Sequence, residues 1–229
     1  MPKFVLIRHG ESAWNSERRI QGSLDPELSP QGRRQAELLV SHLKTHLPRS
    51  VAAIYSSPLR RAAQTAEEIS RAFQLPVIQD HDLREMSLGA WEGKTIPEIQ
   101  ASTPGCYEQW VEAPLSHPAP GGEDLHAFQR RVVGALERMQ QAHGGANLIV
   151  VSHGGVIRAL LCFALGLDLR HLFRLKQNTG AVSQIKLDER TWQVLLVNDT
   201  CHLRSDLSPQ RSPRSQSRTT GSQDHETTL

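Results

Sequence analysis

FVLIRHGES, residues 4–12, sets four consecutive apolar residues in front of Arg8, His9 and Gly10. A short continuous apolar run ended by glycine reads as a strand buried on both faces, the kind a parallel sheet contains. A strand that merely turned at a surface would need only polar turn residues at its exit. This exit holds a cation, an imidazole and a glycine, which would present a nucleophile beside an anion clamp.

Outward from that strand, apolar runs alternate with helical patterns. Ser29-Pro30 reads as a helix start, with serine as cap and proline at the first helical position. Ala36, Leu39, Val40, Leu43 and Leu47 then recur at helical spacing. VAAIY (51–55) reads as a strand, and Ser57-Pro58 predicts the start of a helix through LRRAAQTAEEISRAF. A short strand near Val77-Ile78 leads into LREMSLGAWEG (83–93). Residues 94–122, rich in Pro and Gly, have weak periodicity and read as an excursion over one end of the domain. A helix opens at Gly121-Gly122-Glu123, with Leu125, Phe128, Val132, Leu136 and Met139 on one face. NLIVV (147–151) reads as a strand running into Ser152-His153-Gly154-Gly155 and then the helix VIRALLCFAL, stopped by Gly166. AVSQIKL (181–187) and WQVLLV (192–197) read as a hairpin. The alternation predicts a three-layer α/β/α sandwich around a mostly parallel sheet, with a C-terminal antiparallel hairpin. One domain is expected over 1–203. Residues 204–229 are polar, with almost nothing to bury, and are expected to form a disordered tail.

Composition narrows the partners. The chain has 229 residues, 38% hydrophobic and 22% charged, enough for a substantial core. A net charge of +2 gives no reason to expect nucleic acid. No stretch reaches the roughly 20 apolar residues of a membrane helix, and no signal-peptide pattern follows Met1. The 3 cysteines are far apart, without a CxxC pair, which fits a reducing cytoplasm.

In open α/β sheets, ligands bind at the carboxyl ends of the strands. The first strand ends at Arg8-His9-Gly10, the second runs into Ser56-Ser57-Pro58-Leu59-Arg60-Arg61, and the third ends at His153-Gly154-Gly155. One sheet edge would thus gather two histidines, arginines and two helix N-termini, a setting for a phosphate dianion. Basic residues in the first turn of a helix are unfavourable, so Arg60 and Arg61 carry a cost unless an anion offsets it. The sharper rival is zinc, with the two histidines joined by Asp25 or Glu11. No HxH, HExxH or third soft ligand supports it, so no metal and no cofactor is expected.

With those residues quoted, the sequence resembles the histidine phosphatase superfamily, also called phosphoglycerate mutase-like, over residues 3–203. RHGES (8–12) is similar to its nucleophile motif, SSPLRRAAQT (56–65) to its second arginine block, and SHGG (152–155) to its second histidine. LREMSLGAWEG resembles its acid-bearing segment, departing from the usual pattern at Met86-Ser87-Leu88. The resemblance implies that His9 is the nucleophile, that Arg8, Arg60 and His153 complete the phosphate pocket, and that Glu85 is the proton donor. It also implies substrate contacts from Asn15, Gln21, Gly22 and Gly154. Glu11, Glu92, Glu123 and Asp124 are rival carboxylates, the last two fitting a helix start.

The expected partner is a small phosphorylated metabolite, and a homodimer is compatible with the sequence. A cofactor-dependent phosphoglycerate mutase would resemble its relatives in a long basic insert between the acid and the second histidine, absent from the shorter segment here. A non-catalytic phosphate-binding module would usually lack His9 or Glu85. Among phosphatases, VNDTCHL (197–203) resembles the closing segment of metal-independent phosphoserine phosphatases. α-Ribazole phosphatases and broad small-molecule phosphatases share the core motifs. For phosphoserine, the Gln21 amide oxygen is expected to accept from the ammonium. The Gly22 N–H, Thr200 and His202 are expected to donate to the carboxylate.

Overall fold

In the computed structural model, residues 3–47, 51–187 and 191–207 are described. The opening run becomes strand β1 (Lys3–Arg8), in which Phe4, Val5, Leu6 and Ile7 are each at most 1% exposed. Burial of these four successive side chains, to both faces, puts this strand inside the sheet. Then follow α1 (Ala13–Ser16), α2 (Pro30–His46), β2 (Val51–Ser56), α3 (Arg60–Phe73) and β3 (Val77–Gln79). The chain continues through α4 (Ile96–Ser102), α5 (Cys106–Glu112), α6 (Leu125–His143), β4 (Asn147–Ser152) and α7 (Gly154–Ala164). It closes with β5 (Val182–Leu187), β6 (Trp192–Asp199) and a 3₁₀ turn over Cys201–Leu207.

The sheet order is β3-β2-β4-β1-β5-β6. β3, β2, β4 and β1 pair in parallel, whereas β5 is antiparallel to both β1 and β6. Alternate side chains of the strands feed two cores, as a pleated strand requires. Phe4, Leu6, Leu148 and Val150 pack with α6 and α7, while Val5, Ile7, Ile149 and Val151 pack with α2 and α3. The result is the expected three-layer sandwich. Register then positions the chemistry. β1 and β4 pair from Phe4–Leu148 to Arg8–Ser152, and the His9 N–H donates to the Ser152 carbonyl at 2.9 Å. His9 and His153 therefore leave the sheet side by side.

One local reading needs correction. α3 begins at Arg60, with Leu59 as cap residue and no side-chain cap, rather than at Ser57-Pro58. The Ser57 hydroxyl is instead paired with His153 Nε2 at 2.7 Å. Residues 94–122 hold α4 and α5, each 7 residues long and too short to show periodicity. Thr95 and Glu98 form a capping box at the start of α4. The 3₁₀ turn over Cys201–Leu207 spans the boundary expected at 203. The rest of the expected tail, 208–229, lies outside the described residues. Among those described, no helix is long and apolar enough to cross a membrane.

Candidate active site

His9 is 2% exposed, and its Nδ1 lies 2.6 Å from the Gly10 carbonyl. A carbonyl only accepts, so Nδ1 carries the proton and Nε2 keeps its lone pair. Burial, then the charges of Arg61 and Arg8, hold His9 well below the ordinary histidine value. The ring is thus neutral. His153, fully buried at the mouth of α7, sits with its ring centroid 5.2 Å from that of His9. Its Nε2 meets the Ser57 hydroxyl, which also accepts the Leu59 N–H at 3.3 Å. In the tautomer where the Ser57 O–H donates to Nε2, the imidazole proton lies on Nδ1.

Buried polar groups are ordinarily satisfied by hydrogen bonds. At these strand ends, His153 Nδ1, Arg8 Nε and Arg61 Nε have no partner among the described residues. Converging donors of this kind are what an anion requires. Arg8 is anchored by Nη1 donating to the Gln177 carbonyl at 2.6 Å. Arg61, 1% exposed, donates through Nη1 to Leu24 O at 2.7 Å and through Nη2 to Gly22 O at 2.9 Å. Burial brings each of these two guanidiniums down to about 10, still fully charged at neutral pH.

The second pocket arginine is therefore Arg61, and the expectation for Arg60 is corrected. Successive residues of a helix point about 100° apart, so the two cannot share one direction. Arg60 is exposed and paired with Glu27, and its backbone N–H donates to Asp25 Oδ1 at 2.5 Å. Those carboxylates are the anions that offset a basic first turn. Arg61→Ala is expected to lower kcat/KM about 10²- to 10³-fold, the loss typical of one donor to transition-state charge. Arg60→Ala should change it by less than about threefold, as for an exposed ion pair. Equal losses in steady-state assays would refute the assignment.

Glu85 faces the same cavity. Its Oε2 accepts the Gly155 N–H at 3.0 Å, and Oε1 accepts the Met86 N–H at 3.0 Å. A Cβ at Gly155 would lie 2.3 Å from Glu85 Oε1, so glycine is what lets the carboxylate approach the helix. The rival carboxylates have other work. Glu123 grips Arg131 at 2.7 and 2.8 Å, and Asp124 caps α6 through the Ala127 N–H. Glu11 accepts from the Ser29 hydroxyl at 2.7 Å. Glu92 ties two loops together; burial opposes its ionisation, but the N–H groups of Ser23 and Leu88 and the Ser23 and Ser87 hydroxyls outweigh that and hold it below the usual carboxylate range.

These groups open on a cavity of about 430 Å³ lined by Arg8, His9, Asn15, Gln21, Gly22, Arg61, Glu85 and Gly155, among others. The Ser12 hydroxyl lies 3.0 Å from Asn15 Oδ1 and 2.9 Å from Gln21 Oε1. Asn15 Oδ1 also accepts the Ser12 N–H at 3.0 Å, which leaves the single Ser12 hydroxyl proton for Gln21 Oε1. Gly154 forms the first turn of α7 beneath Arg8. Thr200 and His202 are not brought here. Thr200 lines a separate, more polar cavity of about 890 Å³ with Gln31, Gln35 and Asn178, which shares only Arg8 and Asn15 with the first. His202 is buried against His42, its Nε2 3.1 Å from Gly180 O.

Sequence reasoning missed part of the wall. Tyr107 and Trp110 reach it from α5, and Phe173 packs on Trp110 with centroids 4.5 Å apart. Arg158 reaches it from α7. The aromatic pair at 107 and 110, spaced one helical turn apart, was the available signal. Among the described residues, no group of three or more His, Cys, Asp or Glu is placed to hold a metal ion.

Comparison with known proteins agrees with this geometry. A family model described as "Histidine phosphatase superfamily (branch 1)" matches residues 4–200. Phosphoserine phosphatase 1 of Hydrogenobacter thermophilus is 40% identical over 204 residues, covering 89% of this chain and 95% of that protein. Phosphoglycerate mutase-like protein 4 of Arabidopsis thaliana is 39% identical over 203 residues, covering 88% and 86%. A mutant phosphoserine phosphatase of Entamoeba histolytica, solved with phosphoserine, superposes with a TM-score of 0.78 at 26% identity, covering 89% of this chain and 100% of that one. The match runs through all three strand ends, and so the chain belongs to branch 1 of the histidine phosphatase superfamily and is a phosphatase.

Proposed function

We infer that the chain hydrolyses L-phosphoserine to L-serine and phosphate through a phosphohistidine on His9, without a metal. The observation that carries the mechanism is the His9 tautomer: Nδ1 is committed to Gly10 O, and Nε2 keeps its lone pair in a cavity that Arg8 and Arg61 also line. Nε2 attacks phosphorus, the P–N bond forms, and the P–O bond to the leaving group breaks. Arg8, Arg61 and His153 hold the charge spread over the transferring oxygens, which is most of the catalytic task in phosphoryl transfer. Glu85, entering protonated, gives its proton to the departing alkoxide. It then takes one from the water that cleaves the P–N bond, restoring His9.

Phosphoserine as substrate is supported by the 40% identity to phosphoserine phosphatase 1 and by the 197–203 segment. Thr200 and His202 lend it no contact in the cavity. Against a mutase, residues 94–122 carry no long basic insert that would keep water from the phosphoenzyme. Phosphate release from L-phosphoserine, 3-phosphoglycerate, sugar phosphates and α-ribazole phosphate, measured after exhaustive EDTA treatment, tests the reading. Phosphoserine should give the highest kcat/KM, unchanged by chelation. A different best substrate would sink the phosphoserine assignment, and activity recovered only with added divalent metal would sink the metal-free mechanism.

A further inference from the structure

Of the cavity arginines that the catalytic steps leave unused, Arg18 is exposed and Arg19 is held by Glu17 and the Gly93 carbonyl, whereas Arg158 is half-buried. It stands one turn into α7, and helix side chains tilt toward the N-terminus, which returns its guanidinium to the strand ends. Nε donates to the Leu175 carbonyl at 2.8 Å, and the group lies 5.7 Å from the Phe173 ring centroid. Its Nη1 and Nη2 have no hydrogen-bond partner, and no carboxylate stands within 4.0 Å of it among the described residues. A Cβ at Gly154 would lie 3.4 Å from Arg8 Nε and 3.7 Å from Arg158 Nη1. The two cations thus border one point, and Glu85 is the acidic group that bears on both.

Two negative groups of a substrate could occupy this arrangement. The phosphoryl group must sit on His9 Nε2, where Arg8, Arg61 and His153 surround it. Arg158 lines the cavity with Tyr107 and Phe173, held by Leu175 O with its guanidinium 5.7 Å from the Phe173 ring centroid. Glu85, which marks the leaving-group oxygen, lines the same cavity, and this wall is where the rest of the leaving group would lie.

We propose that Arg158 is a specificity-determining residue that binds the carboxylate of the leaving group, so that the enzyme selects phosphate esters of hydroxy or amino acids over neutral phosphomonoesters. This rests on the phosphatase reading above and replaces the carboxylate contacts expected from Thr200 and His202. A planar fork with two free N–H groups matches a carboxylate bidentately. A charge-assisted hydrogen bond of this kind supports roughly 10- to 100-fold discrimination.

The test uses substrate pairs that differ by one carboxylate: phosphoserine against phosphoethanolamine, and 3-phosphoglycerate against glycerol 3-phosphate. The wild-type protein should favour the carboxylate member of at least one pair. In Arg158→Gln, the kcat/KM ratio of that pair should fall about 10- to 100-fold, with Arg158→Lys between the two. A ratio that survives in Arg158→Gln while both substrates decline together would make Arg158 a phosphate or packing residue and overturn the proposal. If the glutamine variant fails to fold, an unchanged ratio in Arg158→Lys does the same. Wild-type discrimination in neither pair overturns it too. A phosphoserine preference that persists without Arg158 leaves the substrate reading intact. Discrimination confined to the phosphoglycerate pair, and lost in the variant, keeps this proposal while removing phosphoserine.

Discussion

His9→Ala is expected to lower phosphoserine turnover by at least about 10⁴-fold, the scale of losing a nucleophile, and to abolish a phosphoenzyme that rapid acid-free quenching traps in the wild-type protein. The trapped species should be stable to alkali and labile to acid, as a phosphoramidate is and a phosphoserine is not. The physical basis is specific to Nε2. Burial and the neighbouring arginines keep the ring neutral, so the lone pair is available without prior loss of a proton. Alanine removes that lone pair but leaves Arg8, Arg61 and His153 in place. Phosphoserine should therefore still bind the variant, with Kd within about tenfold of the wild-type value by calorimetry, since His9 contributes attack more than affinity. A labelled phosphoenzyme persisting in His9→Ala, or a loss confined to KM, would overturn the assignment.

Glu85→Gln should cost about 10²- to 10⁴-fold on phosphoserine, the range for general acid catalysis, and far less on p-nitrophenyl phosphate. An alkoxide leaves only with a proton, whereas a nitrophenolate is stable on its own. The substitution keeps size and keeps one acceptor oxygen for the N–H groups of Gly155 or Met86, so geometry is largely retained. What it removes is the transferable proton. Burst kinetics on the aryl ester separate the two halves of the reaction. Formation of the phosphoenzyme should stay fast, and its hydrolysis should slow, because the same carboxylate must accept a proton from water. Equal losses on both esters, with no accumulated phosphoenzyme, would show instead that Glu85 only positions the substrate.

Legibility in the sequence followed the range of the interaction. Residues 4–7 and 147–151 could be read as interior strands because their apolar runs are uninterrupted, and interior strands need no alternation. Ser29 as a cap, Pro30 and the apolar face of α2 were equally local signals. Rules about strand ends then brought His9, His153 and the arginine block to one edge. The error at α3 shows where such rules stop. A polar residue before a proline reads as a cap, but Ser57 serves His153, a residue 96 positions away. Displacing the helix start fixes its phase, and phase alone chooses between Arg60 and Arg61.

The sequence by itself determined the layered α/β/α order and the strand ends that carry both histidines, because these follow from burial period and chain order, whereas Glu85 came from the resemblance of residues 83–93 to a family segment. Tertiary structure decided which arginine faces the cavity, that Thr200 lines another cavity and His202 is buried against His42, that Tyr107 and Trp110 close one side, and that Arg158 turns back from an apolar helix to the strand ends. Each of those is a side-chain direction set by packing between distant segments, and direction is not encoded in the spacing of residues along the chain.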